Sequence, residues 1–275
     1  MLGQCVDFLF NKLYGLEQRI FDLIFRVTTA GRSLTRSDVY VVGGNNWPYE
    51  GCHWPALSLA LRDLKPAEGG VFVDLGSGKG KALLIAGRLP YQRVVGVEID
   101  SELVGFAQRN LARGRRRSQA CLIEQEIADV LDWPIPDEAT TIFMYNPFFG
   151  ETFRAALAKI FESYDRNPRD LHIVYELPWE HDWLVGTGRV VVENVRSNAW
   201  PPRPRWWERG EVIVTYHVVE ADRPSSSVRC SHRPGRVTSR AIRRWRGPNG
   251  HPFRDGGPRG ATGHSGDSGT AHVTV

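Results

Sequence analysis

Cysteine is scarce in this chain, and what there is shows no pattern. The four cysteines among 275 residues stand at 5, 52, 121 and 230, with no C-x-x-C and no paired spacing. That argues against a disulfide framework or a thiolate metal site and suits a reducing compartment, so a cytoplasmic protein is expected. No run of about 18 apolar residues occurs, which leaves no candidate for a membrane-spanning helix. The first residues carry neither a basic leader nor an A-x-A cleavage site, so secretion is not expected. Leucine is absent beyond Asp222, where Gly, Pro, Ser and Arg dominate. Such a stretch cannot bury enough apolar surface to fold, and residues 221–275 are expected to form a disordered basic tail.

The positive charge belongs to that tail. The chain is +4 overall, but residues 221–275 hold ten Arg, no Lys and three Asp, a net +7, which leaves the other 220 residues at −3. The body is therefore mildly acidic. Nucleic acid is not an expected partner of the body, although the tail arginines could contact it, or acidic partners, weakly.

What is present reads as one α/β core with an N-terminal extension. Apolar positions at 6, 9, 10, 13, 16, 20, 24 and 27 follow helical spacing over residues 1–28. Phe8, Phe10, Phe21 and Phe25 suit packing on the domain. A membrane contact or a dimer face stays open, though Asp7, Glu17 and Asp22 disfavour an anionic membrane. Residues 1–44 are taken as helix and loop, and 45–220 as the main domain. A short helix at 55–64 precedes strands at 71–75, 93–99, 120–127, 141–145, 171–177, 189–195 and 211–219. Helices fall at about 79–89, 101–113 and 151–164, and a basic loop covers 113–117. Ser101 suits an N-cap. The fold class is α/β: a doubly wound, mostly parallel seven-stranded sheet with helices on both faces. No convincing helix separates the last two strands, so an antiparallel last strand is expected.

The most informative stretch is Val71-Phe-Val-Asp-Leu-Gly-Ser-Gly-Lys-Gly-Lys81. A β-branched run ends in Asp74, and Gly76, Gly78 and Gly80 follow at every second position. This is a buried strand turning sharply into a helix, with glycines that allow positive φ and close approach of a ligand. A dinucleotide fingerprint, G-x-G-x-x-G, needs glycine at 81, where this chain has lysine. A carboxylate two residues before the first glycine would repel a pyrophosphate and attract an ammonium. The pattern resembles the first motif of class I S-adenosylmethionine-dependent methyltransferases, and S-adenosylmethionine is the cofactor the resemblance implies. It disfavours the rival reading, a nicotinamide-dependent oxidoreductase.

Further candidates sit at the other strand ends, because ligands of open parallel sheets bind outside the carboxyl edge. Glu98 ends the second strand 24 residues after Asp74, close to the offset expected of an acid that grips ribose hydroxyls; Asp100 suits helix capping better. Ala128 and Asp129 follow the third strand, where the resemblance implies an adenine contact; Asp132 is nearby. The fourth strand ends in Tyr145-Asn146-Pro147-Phe148-Phe149. A residue before proline is biased toward extended backbone, so Asn146 is expected to be extended and to face the edge. The segment resembles the Asn-Pro-Pro-aromatic motif of amino-group methyltransferases, with one proline fewer. It is also similar to the Asn-Asn-Phe segment of the non-SET histone lysine methyltransferases. Tyr49-Glu50-Gly51 resembles the Tyr-Gly-Glu segment of that family with its last two residues exchanged, and could cover the methionine end of the cofactor. Phe21-Asp22 and Thr29-Ala-Gly-Arg32 resemble a stretch that precedes the domain in a family of uncharacterised bacterial class I methyltransferases.

The resemblance implies methyl transfer with Asn146, Tyr145 and Phe148 at the acceptor and no metal. An amine acceptor is expected, protein lysine first. A small-molecule N- or O-methyltransferase and a non-catalytic cofactor-binding protein are the alternatives. His181, in Glu176-Leu-Pro-Trp-Glu-His-Asp-Trp183, is the first choice for a general base, against a plain polar loop. Trp200, Trp206 and Trp207 could form a substrate lip or a packing cluster. His172 and His217 lie inside strands and read as structural.

Overall fold

Seven strands form one sheet in the order β3-β2-β1-β4-β5-β7-β6. A computed structural model describes residues 2–30, 49–66, 69–114, 118–197 and 212–221. Most of the expected loop (31–48), residues 115–117, the Trp-bearing connection at 198–211 and the tail from 222 lie outside the described residues. The elements are α1 (Leu2–Phe25), α2 (Trp54–Asp63), β1 (Val71–Leu75), α3 (Lys81–Ala86), β2 (Arg93–Glu98), α4 (Ser101–Gly114), β3 (Leu122–Ile127), β4 (Ala139–Tyr145), α5 (Gly150–Arg166), β5 (His172–Glu176), α6 (His181–Gly186), β6 (Val190–Ser197) and β7 (Val212–Val218).

Strands β3, β2, β1, β4 and β5 run parallel, and β7 is antiparallel to both β5 and β6. The strand order therefore reverses between β1 and β4. In a doubly wound sheet that switch point opens a crevice at the carboxyl edge. The expected α/β class and the antiparallel last strand are both present.

Strand alternation sorts the side chains into two layers. One face of the sheet buries Val73, Leu75, Ile142, Met144, Ile173, Tyr175 and Tyr216 against Phe153, Leu157 and Ile160 of α5. Phe153 is fully buried and stacks on Tyr175 at 5.5 Å. The other face carries Phe72, Val94, Phe143, Val174 and Ile213 under α1, α2 and α3. Phe21 and Phe25 of α1 are buried there, while Leu23 on the far side of the helix is 79% exposed. From Lys12 onward, the N-terminal helix thus packs on the domain through one face.

Two local expectations change. Ser101 is the first helical residue of α4, and Asp100 caps it: Oδ1 accepts the N–H groups of Glu102 and Leu103 at 2.7 and 3.1 Å. The polar segment after β5 contains the short helix α6, whose apolar anchor, Leu184, is fully buried.

Candidate functional site

The end of β1 makes the left-handed turn that its glycines foretell. Gly76, Gly78 and Gly80 have φ of 81°, 52° and 77°, a region that costs other residues roughly 1–2 kcal/mol each. Protein side chains also crowd the turn. A Cβ on Gly76 would stand 2.5 Å from Cβ of Pro147, and one on Gly78 would stand 2.3 Å from the Tyr49 ring. Close approach is therefore required by Pro147 and Tyr49 of the chain itself.

Asp74, Tyr145 and Glu176 end β1, β4 and β5 on the face that α2 and α3 cover, in step with Phe72, Phe143 and Val174. Asp74 and Tyr145 line a small, solvent-open cleft together with Tyr49, Glu50, Gly76, Ser77 and Lys81. Burial raises the pKa of Asp74 well above the usual carboxylate range, and the charges of Glu98 and Glu176 add to it. Glu98 stands beside the glycine turn: Oε2 accepts the Gly78 N–H and Oε1 the Asp100 N–H, both at 2.9 Å. Its pKa is also raised, by burial against the lowering effect of those hydrogen bonds. Ser77 Oγ is tied to Gln125 of β3 at 2.8–3.0 Å. Ala128 N–H donates to the Glu98 carbonyl at 3.1 Å, which brings the β3 loop to the end of β2, and Asp129 Oδ1 closes that loop on the Leu131 N–H at 2.8 Å.

The β4 end differs from expectation. Asn146 is buried and has φ of 41°, so it is left-handed and not extended. Asparagine tolerates this conformation, and the turn it makes brings Pro147 against Gly76 and sends Phe148 inward. Phe148, expected at the acceptor, is 4% exposed and packs in the core under α5. Asn146 Oδ1 accepts the Tyr175 hydroxyl at 3.1 Å. Leu177, also before a proline, follows β5 with φ of 50°.

Three groups escaped sequence reasoning. Lys81, at the position where a dinucleotide motif has glycine, is 2% exposed. Its Nζ donates to Gln18 Oε1 and the Cys52 carbonyl at 2.7 Å each, lies 3.3 Å from Glu17 Oε1, and sits over the Phe21 ring. It ties α1 and the 51–54 segment to the glycine turn. His53 N–H donates to Glu176 Oε1 at 3.1 Å, and His53 Nδ1 meets the same oxygen at 2.6 Å. The His53 ring lies between those of Tyr14 and Tyr145, at 4.6 and 6.3 Å. The Tyr14 hydroxyl donates to the Gly51 carbonyl. The two members of each pair stand 29 or more residues apart in sequence, so no spacing rule could have paired them.

The Phe21-Asp22 and Thr29-Ala30 pieces do have a local purpose. The Asp22 carboxylate accepts the backbone N–H groups of Thr29 and Ala30 and the Thr29 hydroxyl at 2.6–3.0 Å. Asn110 of α4 joins Thr28 to the Lys79 carbonyl, and the Tyr49 hydroxyl donates to the Thr29 carbonyl at 2.8 Å. Gly31 and Arg32 lie outside the described residues. His181, the first choice for a base, has Nδ1 2.7 Å from the Tyr216 hydroxyl and is held below its ordinary pKa by burial. Cys52 is buried, and desolvation pushes its thiol pKa up.

The fold and site together define a doubly wound α/β protein with an acid-walled cleft at its topological switch point. No protein-family model matches the chain, and no curated protein sequence matches it. Solved structures are similar in fold. A TehB-like SAM-dependent methyltransferase from Corynebacterium glutamicum is 18% identical, over 60% of this chain and 88% of that one, with a TM-score of 0.43. An RNA methyltransferase from Salinibacter ruber, in complex with S-adenosyl-L-homocysteine, is 22% identical over 62% and 94%, with a TM-score of 0.43. A putative RNA methyltransferase from Pyrococcus horikoshii is 20% identical over 75% and 98%, with a TM-score of 0.47.

Proposed function

We propose that this chain is an S-adenosylmethionine-dependent methyltransferase acting on an amine, protein lysine first. One observation carries the reading: the buried Asp74 carboxyl in the cleft wall at the glycine turn, whose proton affinity is raised by burial first and by the charges of Glu98 and Glu176 after it. The two neighbouring carboxylates favour a cation there, an amino-acid ammonium supplies one, and the ionised Asp74 that it selects would repel a pyrophosphate. The residues fit the cofactor in kind. Asp74 would hold the amino-acid end along Gly76, Ser77, Gly78 and Gly80. Glu98 would take the ribose hydroxyls, and Ala128 and Asp129 the adenine. Tyr49, Glu50, Pro147 and Asn146 would close the methionine end.

Bound there, the cofactor would supply a methyl group already activated on a sulfonium. The protein's own share is alignment and exclusion of water, worth up to roughly 7–11 kcal/mol in favourable cases. Asn146 Oδ1 accepts one hydrogen bond, from Tyr175. A carbonyl oxygen can accept two, and the second would orient the acceptor N–H beside Tyr145. An alkylammonium, with a reference pKa of about 10.4, must lose a proton before it can attack. His53, oriented by Glu176 and next to Tyr145, would take it. The choice of protein lysine is supported by the likeness of Tyr49-Glu50 and Asn146-Pro147-Phe148 to the non-SET histone lysine methyltransferases.

Calorimetry with S-adenosylhomocysteine, NAD and NADP tests the cofactor, and heat with the first alone is expected. Radiolabelled methyl transfer into lysate fractions, followed by protease or nuclease digestion, tests the acceptor. Label released by nuclease and not by protease would sink the lysine reading.

A further inference from the structure

We propose that Asp170, His172 and His217 bind one divalent transition-metal ion of the zinc type, with Glu193 as the outer partner of His172. The site lies at the end of the sheet opposite the cleft. His172 opens β5, about 13 Å along the strand from Glu176 at about 3.3 Å per residue. The antiparallel register of β5 and β7 sets His172 directly opposite His217, and their rings lie 5.0 Å apart and nearly parallel.

The donor geometry is close to what such an ion needs. Asp170 Oδ1 stands 3.7 Å from His172 Nδ1 and 3.2 Å from His217 Nε2. One ligand atom from each of the three residues lies within 4.8 Å of the others. Metal bonds of about 2.0–2.1 Å at a tetrahedral angle hold donor atoms about 3.4 Å apart. Two imidazoles and a carboxylate suit zinc, cobalt, nickel or copper, whereas magnesium and calcium prefer an all-oxygen shell.

Glu193 supplies the feature that separates a ligand set from a chance ion pair. Its Oε2 lies 3.0 Å from His172 Nε2. With the proton on Nε2 donated to Glu193, the lone pair of Nδ1 is left facing Asp170 and His217, the arrangement that orients metal-ligating histidines. A β-bulge delivers this carboxylate. Val192 pairs with Tyr216 and Asn194 with Thr215, so Glu193 is the extra residue between them. The bulge leaves both Glu193 and Asn194 on the face of His172 and His217. Asp170 is 80% exposed and His172 12% at the side chain, so an ion can enter from solvent and keep water on its open position. It would clamp the start of β5 to the antiparallel edge and take no part in chemistry at the cleft.

The full-length protein, stripped with EDTA, is titrated with Zn²⁺ by calorimetry and with Co²⁺ by visible absorption. One tight equivalent with the intense d–d bands of low-coordinate Co²⁺ is expected. His217→Ala and Asp170→Asn should lose that equivalent, and Glu193→Gln should weaken it about 10–100-fold. Histidines 232, 251, 264 and 272 can also take up metal, so the decisive quantity is the equivalent that the substitutions remove. Unchanged stoichiometry and affinity in His217→Ala and Asp170→Asn would overturn the proposal and leave protons holding the cluster together. A measurement without variants guards against misfolding: Zn²⁺ should protect His172 and His217 of the wild type from diethyl pyrocarbonate, read by peptide mass spectrometry. Protection confined to other histidines would also overturn it.

Discussion

Asp74 concentrates the functional question in one side chain. A charge-assisted hydrogen bond contributes about 1.5–3 kcal/mol, so Asp74→Asn should weaken S-adenosylhomocysteine binding by about 10–150-fold. The raised carboxylate pKa adds a signature. An ammonium bound there selects the ionised acid, so binding should release protons. Calorimetry in buffers of different ionisation enthalpy would detect the release in the wild type, and Asp74→Asn should abolish it. Gly76 makes a structural counterpart. Gly76→Ala meets a left-handed backbone, costing about 1–2 kcal/mol, and a proline Cβ at 2.5 Å, for which overpacking costs roughly another 1–3 kcal/mol. Urea unfolding should register a loss of at least 2 kcal/mol. At the proposed acceptor site, Glu176→Gln would leave His53 without its carboxylate partner. Turnover on an identified amine should fall by up to about 10²–10⁴-fold, the range for general acid–base catalysis, and more than S-adenosylhomocysteine affinity, which the loss of the Glu176 charge near Asp74 also weakens. Full turnover in this variant would remove His53 from the proton-transfer scheme.

At the scale of elements, Lys81 decides how α1 sits. Its ammonium satisfies Gln18, the Cys52 carbonyl and Glu17 at once, and Glu17 Oε1 also accepts the Trp54 N–H at the start of α2. Removing one partner of a buried pair costs about 3–5 kcal/mol, because the others are left unpaired in a dry site. Lys81→Met should therefore destabilise the protein by that order. Hydrogen exchange should accelerate first in α1 and at residues 51–54, ahead of β1 and β4. Uniform acceleration across the sheet would show that Lys81 serves the core as a whole and not the attachment of α1. The same lysine marks a boundary of sequence reading. Position 81 was informative only as a glycine that was missing, since the partners that explain it lie 29 to 64 residues upstream. The helix ends show a smaller instance. Ser101 and Asp100 both suit a cap, and the helix begins at Ser101, which hands the role to Asp100.

For the molecule as a whole, the carboxylates at the carboxyl edge shape stability against pH. Asp74 and Glu98 have folded pKa values above their ordinary ones, so the folded state binds protons that the unfolded chain has released. Their effect is a stability that falls as pH rises from about 4 through the raised values. Buried His181, whose pKa is lowered, works the other way and costs stability as pH drops below its ordinary value. The melting temperature of Asp74→Asn minus that of the wild type isolates the first effect. It should be positive at neutral pH and shrink toward zero near pH 4, each kcal/mol moving the melting point by about 2–4 °C in a body of this size. A difference that grows on acidification would mean that Asp74 is stabilised as an anion, which would remove the support its proton affinity gives to a bound ammonium.

Local order was largely written in the residues themselves. β-branched runs gave β1, β2 and β4, helical spacing gave α4 and α5, and Asp74 with alternate glycines gave the turn and its placement at a sheet edge. Each rests on interactions within a few residues: backbone φ preferences, a period of 2 or 3.6, a cap. Only the tertiary structure decided that Phe148 fills the core, that Asn146 turns left-handed, that Lys81 anchors α1, and that His53 meets Glu176 across 123 residues. It likewise brought His172 to His217. Those outcomes depend on sheet register, on which strand neighbours which, and on the cost of leaving a buried polar group unpaired. None of the three is set before distant segments meet.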